Sequence, residues 1–118
     1  MRTILSELNK TSAHIEASAI ISADGLVIEA DLPHGMNDDS VGAMSAALLS
    51  VSNRGSRELA DGALEQIVVK STQGYILITQ AGKEALLTVI TKSHMELEHI
   101  SSEIKRSAEK VIAHLSAF

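Results

Sequence analysis

The chain has 118 residues, which fits a single domain over residues 1–118. It contains 10 Lys and Arg and 15 Asp and Glu, so its net charge is −5. Aromatic residues make up 2% of the sequence, and there is no cysteine. The lack of cysteine excludes thiol nucleophiles, disulfides and cysteine-based metal centres, and it suits a reducing cytoplasm, where we expect the protein to act. An acidic chain with so few stacking side chains is a poor candidate for binding nucleic acid, and no stretch approaches the roughly 20 apolar residues of a membrane span.

The first part of the chain predicts a helix followed by a β-hairpin. Apolar residues at helical spacing indicate a helix over Thr3–His14. The runs SAIIS and LVIEA then flank Asp24 and Gly25, a dipeptide preferred in two-residue type I′ turns because both turn positions need positive φ. Such a turn pairs Ile21 with Ile28, and it predicts one wholly apolar face and one mixed, partly wet face.

The central helix is predicted over Asp38–Leu59, with Asp38, Asp39 and Ser40 as N-terminal capping groups and Gly62 as the C-cap. One apolar stripe has the spacing of ordinary packing on a sheet: Val41, Met44, Leu48 and Val51. A second stripe, here called the small stripe, consists almost entirely of small residues: Gly42, Ser45, Ala46, Leu49 and Asn53. Small side chains allow another backbone to approach closely, so this stripe is either a crowded intramolecular contact or a self-association face.

Three short β runs follow the central helix, at positions 65–71, 75–81 and 85–91. Glycines in the turns between them predict an antiparallel meander, and apolar residues on both faces of the last two runs indicate that both faces are covered. An amphipathic helix over His94–Phe118 ends the chain. The predicted fold is therefore an α/β (α+β) three-layer sandwich, with the order α-β-β-α-β-β-β-α and a five-stranded antiparallel sheet.

No motif in the sequence indicates catalysis, a metal or a cofactor. A phosphate-binding P-loop, a dinucleotide fingerprint, a zinc-protease motif and a nucleophile elbow are all missing from the sequence. His94 and His99 are five residues apart, which points them to different sides of a helix and not toward one metal. Arg54 and Arg57 are candidates for contact with an anionic partner or a nucleotide, but solvated cations near the negative end of a helix are the favoured interpretation. We therefore expect no enzyme activity.

The order of elements and the glycine positions resemble the roadblock family, named for a dynein light chain, whose fold is roadblock/profilin-like. The resemblance runs from about Leu5 to Leu115, and it rests on AIISADGLVIEA, on the stretch from AALLSVSNRGSREL to EALLTVI and on the final helix. The positions that fit the family pattern are Gly25, Leu59, Gly62, Leu64, Gly74, Gly82 and Leu87.

The resemblance implies a homodimer. In roadblock domains the central helices of two chains pack together, and the strand after that helix pairs at the sheet edge to give one continuous sheet. An exposed apolar edge strand is an aggregation liability unless it is covered, which also favours a two-fold dimer. On this resemblance the helix pair uses Gly42, Ser45, Ala46, Leu49 and Asn53, and the joined edge uses Ile67, Val68 and Val69. An Ala46→Glu substitution is then expected to break the dimer.

The resemblance also implies a function in interaction and not in catalysis. Relatives in the family include bacterial polarity regulators that stimulate GTP hydrolysis, so the first hypothesis is a module that binds and regulates a small Ras-like GTPase by ordering its catalytic groups. Arg54 and Arg57 are the candidates for a GTPase contact. The second hypothesis is a structural adaptor, like the dynein light chain. A small-molecule sensor or enzyme comes third, since the sequence has few aromatic residues and no convergent polar cluster.

Overall fold

The helices and strands follow the predicted order in the structure, a computed structural model that describes residues 1–92 and 97–117. Their bounds are α1 (Arg2–Lys10), β1 (Ile15–Ser22), β2 (Val27–Asp31), α2 (Asp38–Leu59), β3 (Ile67–Lys70), β4 (Tyr75–Ala81), β5 (Ala85–Thr91) and α3 (Leu97–Ser116).

The strands form one antiparallel sheet in the order β2-β1-β5-β4-β3, so β2 and β3 are the edge strands. α1 and α3 pack on one face and α2 packs on the other, which confirms the predicted three-layer sandwich and the meander of β3, β4 and β5. The core on the α1 and α3 side includes Leu5, Leu8, Ile20, Leu77, Leu87 and Ile104. The core on the α2 side includes Ala19, Ile21, Leu49, Ile67, Ile78 and Leu86.

The first helix is shorter than its predicted range of Thr3–His14. It ends at Lys10, because both the backbone N–H and the hydroxyl of Thr11 donate to the Leu8 carbonyl, at 3.0 and 2.7 Å, and close the last turn. β1 begins soon afterwards, at Ile15, and pairs with β5 from there onward. The pairing with β5 is a tertiary contact, so the local sequence pattern did not reveal the extra strand residues.

The β1–β2 hairpin has a three-residue loop in place of the predicted two-residue turn. The Ser22 N–H donates to the Leu26 carbonyl at 2.8 Å, and the Gly25 N–H donates to the Ser22 carbonyl at 2.9 Å. Gly25 has a φ of +91°, whereas Asp24 is not among the residues with positive φ. A single left-handed glycine at the last loop position is typical of three-residue hairpins, and it needs no strained aspartate.

The longer loop changes the register next to the turn. Ile21 pairs with Val27 and not with the predicted Ile28, and a register shift between Ile20 and Ile21 then brings Ile20 opposite Glu29, the register that the two-residue turn would also give farther from the turn. Ile28 lies between Val27 and Glu29 without a partner on β1, and it is 42% exposed, while Ile20 is fully buried. Helices cover both sides of β1, so Ile20 is buried although it lies on the face predicted to be partly wet. On the same face Asp31 of β2 is exposed, as that prediction expected.

The central helix has the predicted bounds but different caps. Asn37 is the N-cap, one residue before the predicted capping group, and its side-chain oxygen accepts from the Ser40 N–H at 3.0 Å. At the other end the left-handed residue is Asp61, with a φ of 56°, and not Gly62. Gly62 still contributes to the helix end, because its N–H donates to the Ser56 carbonyl at 3.1 Å.

A contact between two glycines lets α2 lie close to the hairpin. A Cβ atom added at Gly42 would overlap the carbonyl oxygen of Gly25. Farther along the helix, the Ser45 hydroxyl accepts a hydrogen bond from the Thr88 hydroxyl of β5 at 2.9 Å, and both side chains are buried. The small stripe is thus the side of α2 that meets the sheet.

We predict that Gly42→Ala destabilises the fold by about 1–3 kcal/mol, because the new methyl group forces α2 away from the Gly25 carbonyl. Gly55→Ala is the matched control, since Gly55 lies in the same helix and an added Cβ there meets nothing within 4 Å. Alanine should stabilise that position by up to about 1 kcal/mol. Urea denaturation at one protein concentration measures both, and equal stability of the two variants would contradict the close contact.

Candidate interaction surface on α2 and β3

One flank of α2 is apolar and exposed. Met44 is 64% exposed and Val51 is 72% exposed, with the half-buried Leu48 between them. Their spacing of four and three places them on the same side of the helix, and we call these three residues the α2 flank. The spacing predicted that Val41, Met44, Leu48 and Val51 pack on the sheet. Val41 and Leu48 are half-buried against the α2-side core, whereas Met44 and Val51 are exposed, because the small stripe lies closer to the sheet.

The small stripe is largely used inside the chain. Gly42, Ser45 and Leu49 are buried against the sheet of their own chain, and Ala46 and Asn53 are partly buried. The sequence left open whether the small stripe is a crowded contact within the chain or a self-association face. Gly42, Ser45 and Leu49 form a contact within the chain. A contact between α2 helices of two chains stays a prediction, and it would have to use the α2 flank.

The Ala46→Glu substitution would affect the fold of one chain as well as a contact between two chains. Ala46 lies beside Gly25, since a Cβ atom added at that glycine would be 3.4 Å from the Ala46 Cβ. A glutamate at position 46 would therefore disturb the docking of α2 on the hairpin. Loss of a dimer in that variant would report on the fold as much as on the interface.

An apolar groove of about 270 Å³ runs beside the α2 flank. Met44 and Leu48 form its helical wall, and Ile76 of β4 and Ile90 of β5 form part of its base. Its lining also includes Thr88, whose hydroxyl is already satisfied by Ser45. A groove with so little polar surface favours contact with apolar side chains over binding of a charged ligand.

β3 extends this apolar surface to the edge of the sheet. It covers Ile67–Lys70, which is shorter than the predicted 65–71, and its position at an edge is as the resemblance implied. Ile67 and Val69 face the α2 side, where Val69 is paired with Ile76 of the groove. Val68 faces the other side of the sheet and is 44% exposed.

The two candidate arginines lie outside the α2 flank. The Arg54 Nε lies 3.0 Å from the Glu58 carboxylate, one helical turn further on, and its side chain is 78% exposed. Arg57 is exposed in the last turn of the helix. Such surface pairs contribute at most about 0.5 kcal/mol. This placement agrees with solvated cations near the negative end of the helix.

Residues 1–92 and 97–117 contain no cluster of three or more His, Asp or Glu that could hold a metal ion. In the same part of the chain, no helix has both the length and the apolar character needed to cross a membrane. His99 is exposed on α3, whereas His94, the other member of the pair considered from the sequence, lies outside the described residues.

Solved structures of several proteins share this architecture. A Roadblock/LC7 domain from Streptomyces avermitilis superposes with a TM-score of 0.90 at 20% identity over 98% of both chains. Myxococcus xanthus MglB superposes with a TM-score of 0.88 at 13% identity, over 98% of this chain and 94% of that one. Profilin II of Acanthamoeba castellanii gives 0.65 at 14% identity, over 95% and 96% of the two chains. At these identities the likeness establishes the fold, which confirms its predicted roadblock/profilin-like character.

Sequence comparison adds closer relatives. The uncharacterized proteins MJ1340 and MJ0310 of Methanocaldococcus jannaschii are 38% and 37% identical over 110 residues, which cover 93% of this chain and 95% of each relative. The family model described as Roadblock/LC7 domain matches residues 2–91. The chain therefore belongs to the Roadblock/LC7 family.

Proposed function

We propose that the chain is a homodimeric interaction module that binds and regulates a small Ras-like GTPase. The observation that carries the proposal is the exposed α2 flank beside an apolar groove and an apolar edge strand, in a Roadblock/LC7 fold. All three surfaces belong to the α2 side or the β3 edge of the sheet. A second copy related by a two-fold axis would cover them together.

The energetic support for the dimer comes from the α2 flank. Burial of a Met or Val side chain that was exposed contributes about 1.5–3 kcal/mol. In a two-fold dimer each copy contributes the same flank, so two Met44 and two Val51 side chains leave water at once. Isolated exposed apolar residues are ordinary on protein surfaces, but a row of them beside an open apolar groove is typical of an interface.

We predict that wild-type protein has a molar mass near twice the 12.5 kDa of one chain by light scattering, and that Met44→Glu has the mass of one chain. A carboxylate in an apolar helix contact lacks a partner and water, so the dimer opens while the exposed site leaves the fold intact. Ser50→Glu is the control, because Ser50 is exposed on the other side of α2. A Met44→Glu protein that is folded and still dimeric contradicts this interface.

The GTPase part of the proposal is supported by family membership. The Roadblock/LC7 match and the MglB-like fold support a GTPase-regulating or adaptor role at the level of the family. In the proposed mechanism the module binds the switch loops of the GTPase and holds the catalytic groups of the GTPase in place. We assign no arginine to the nucleotide site, because Arg54 is paired with Glu58 and both candidate arginines lie outside the α2 flank.

The test is affinity capture from the host lysate, with the protein as bait and parallel samples that contain GDP or a non-hydrolysable GTP analogue. We expect a small GTPase that is retained with the analogue only. The purified GTPase should then release phosphate at least about tenfold faster with the module present. Arg54→Ala and Arg57→Ala should stay within about twofold of wild type, because a true arginine finger is worth about 10³–10⁵.

A structural adaptor is the second candidate, since the α2 flank and the groove would serve a partner that is not a GTPase equally well. It predicts a partner that is captured equally with GDP and with the analogue. That result, with no GTPase in either sample, contradicts the regulator. A loss of more than a hundredfold in either arginine variant would instead keep the regulator and overturn the proposed mechanism.

A further inference from the structure

A second groove, of about 440 Å³, lies between α3 and the part of the sheet next to the start of β3. Residues of α3 between Ser101 and Ile112 form one wall, and residues 65–66 and 79–80 form the other. Its lining includes Ala108, which belongs to the core on the α1 and α3 side, so the groove is on the opposite side of the sheet from the α2 flank. Its volume is within the range of about 300–1,000 Å³ that is usual for small-molecule sites. We call it the α3 groove.

Hydrogen bonds between side chains join the two walls of the α3 groove. The Ser101 hydroxyl donates to the Gln66 Oε1 at 3.1 Å, and the Gln66 Nε2 donates to the Thr79 hydroxyl at 3.3 Å. Both hydrogen bonds are partly buried. They tie α3 to β4 through the residue just before β3. The groove is therefore formed in the free chain, and a ligand does not have to order its walls.

Part of the α3 groove is apolar. Ala108 and Ile112 both line it, and their spacing of four places them on the same side of α3. Ala108 is buried, whereas Ile112 is 39% exposed. An apolar chain laid along this turn of the helix removes the exposed part of Ile112 from water, which is favourable.

Three charged side chains also line the α3 groove, and their charges are not matched within the chain. Lys105 and Glu109 are one helical turn apart on α3, and Glu65 belongs to the opposite wall. Among the residues that the structure describes, none of the three has an ion-pair partner within 4.0 Å. The other two Lys and Arg residues of α3 do have one, Glu103 in one case and Glu7 in the other. The groove thus presents one positive and two negative groups to a ligand.

We propose that the α3 groove binds a small zwitterion with an apolar chain, of the class of a free apolar amino acid. The Lys105 ammonium meets the ligand carboxylate, and the carboxylates of Glu65 and Glu109 meet the ligand ammonium. The ligand side chain lies against Ala108 and Ile112. This site does not depend on the proposed function, because neither the dimer nor a GTPase contact uses this face of the sheet.

A zwitterion matches the charges of the groove better than an ion of one sign does. An anion that meets Lys105 also faces the carboxylates of Glu65 and Glu109, and a cation that meets these carboxylates also faces Lys105. A zwitterion gives both signs of charge a partner, and hydrogen bonds between charged groups are roughly twice as strong as neutral ones. An apolar amino acid combines both charges with a chain that covers Ile112.

NMR titration of isotope-labelled wild-type protein with methionine and two of its derivatives tests the proposal. Methionine should shift amide resonances of the groove, with the largest changes at Gln66, Thr79, Ser101 and Ala108. Methioninamide lacks the carboxylate and N-acetylmethionine lacks the ammonium. Each derivative should bind at least about tenfold more weakly, the usual effect of losing a hydrogen bond to a charged group.

A substitution at Lys105 assigns the carboxylate contact. Lys105→Gln should weaken the binding of methionine about tenfold and leave that of methioninamide within about twofold, because the amide has no carboxylate for Lys105 to meet. Lys110→Gln is the matched control, since Lys110 is on the same helix, pairs with Glu7 at 3.2 Å and is outside the groove lining. It should bind both compounds as wild type does.

Three results would overturn the proposal. The first is the lack of any saturable shift of the groove amides up to about 10 mM methionine. The second is equal binding of methionine and its two derivatives. The third is a Lys105→Gln protein that loses methionine and methioninamide alike, because Lys105 would then support the groove and not the ligand carboxylate. None of these results involves the dimer or a GTPase, so each would leave the proposed function standing.

Discussion

The contact between Gly42 and Gly25 determines where α2 lies on the sheet. Because neither residue has a side chain, the helix backbone lies close to the β1–β2 hairpin and the small stripe packs against the sheet. Farther along the helix, the buried hydrogen bond between Ser45 and Thr88 joins α2 to β5. A helix held in this way leaves Met44 and Val51 exposed. The α2 flank and the groove over Ile76 are consequences of this docking.

The exposed apolar surfaces of the chain, which are the α2 flank, the groove and the β3 edge, are next to one another. The α2 flank lies along the groove, the base of the groove includes Ile76, and Ile76 pairs with Val69 of the edge strand. One helix and one strand from a second copy would complete the helix layer and the sheet layer at once. In such a joined sheet only alternate residues of β3 would donate and accept across the edge, because alternate residues of an antiparallel strand direct their hydrogen-bonding groups to opposite sides. A joined sheet would give a GTPase one rigid surface built from two chains.

The sequence predicted the parts of this fold that depend on local patterns. The bounds of α2, β4 and β5 follow from long periodic runs and glycine-containing turns, and the structure has them as predicted. The role of each α2 stripe could not be predicted, since periodicity reveals that a helix has two faces but not which one meets the sheet. The choice depends on the space above Gly25, which is a tertiary property. The prediction of the hairpin loop was wrong for a related reason. A three-residue loop accommodates the positive φ of Gly25 without requiring a positive φ at Asp24.

Hydrogen exchange at the amides of β3, followed by NMR over a range of protein concentrations, tests the central claim most directly. The Ser71 N–H donates to the Gly74 carbonyl at 2.9 Å, and hydrogen-bonded pairs alternate along an antiparallel ladder, so the Val69 N–H also points to β4. It should be protected at every concentration and serves as the internal control. The Val68 and Lys70 amides point outward, and they should exchange rapidly in dilute protein and become protected as the dimer forms. If they exchange rapidly at all concentrations while Val69 stays protected, the edge of the sheet is open and the proposed joining of two sheets is wrong.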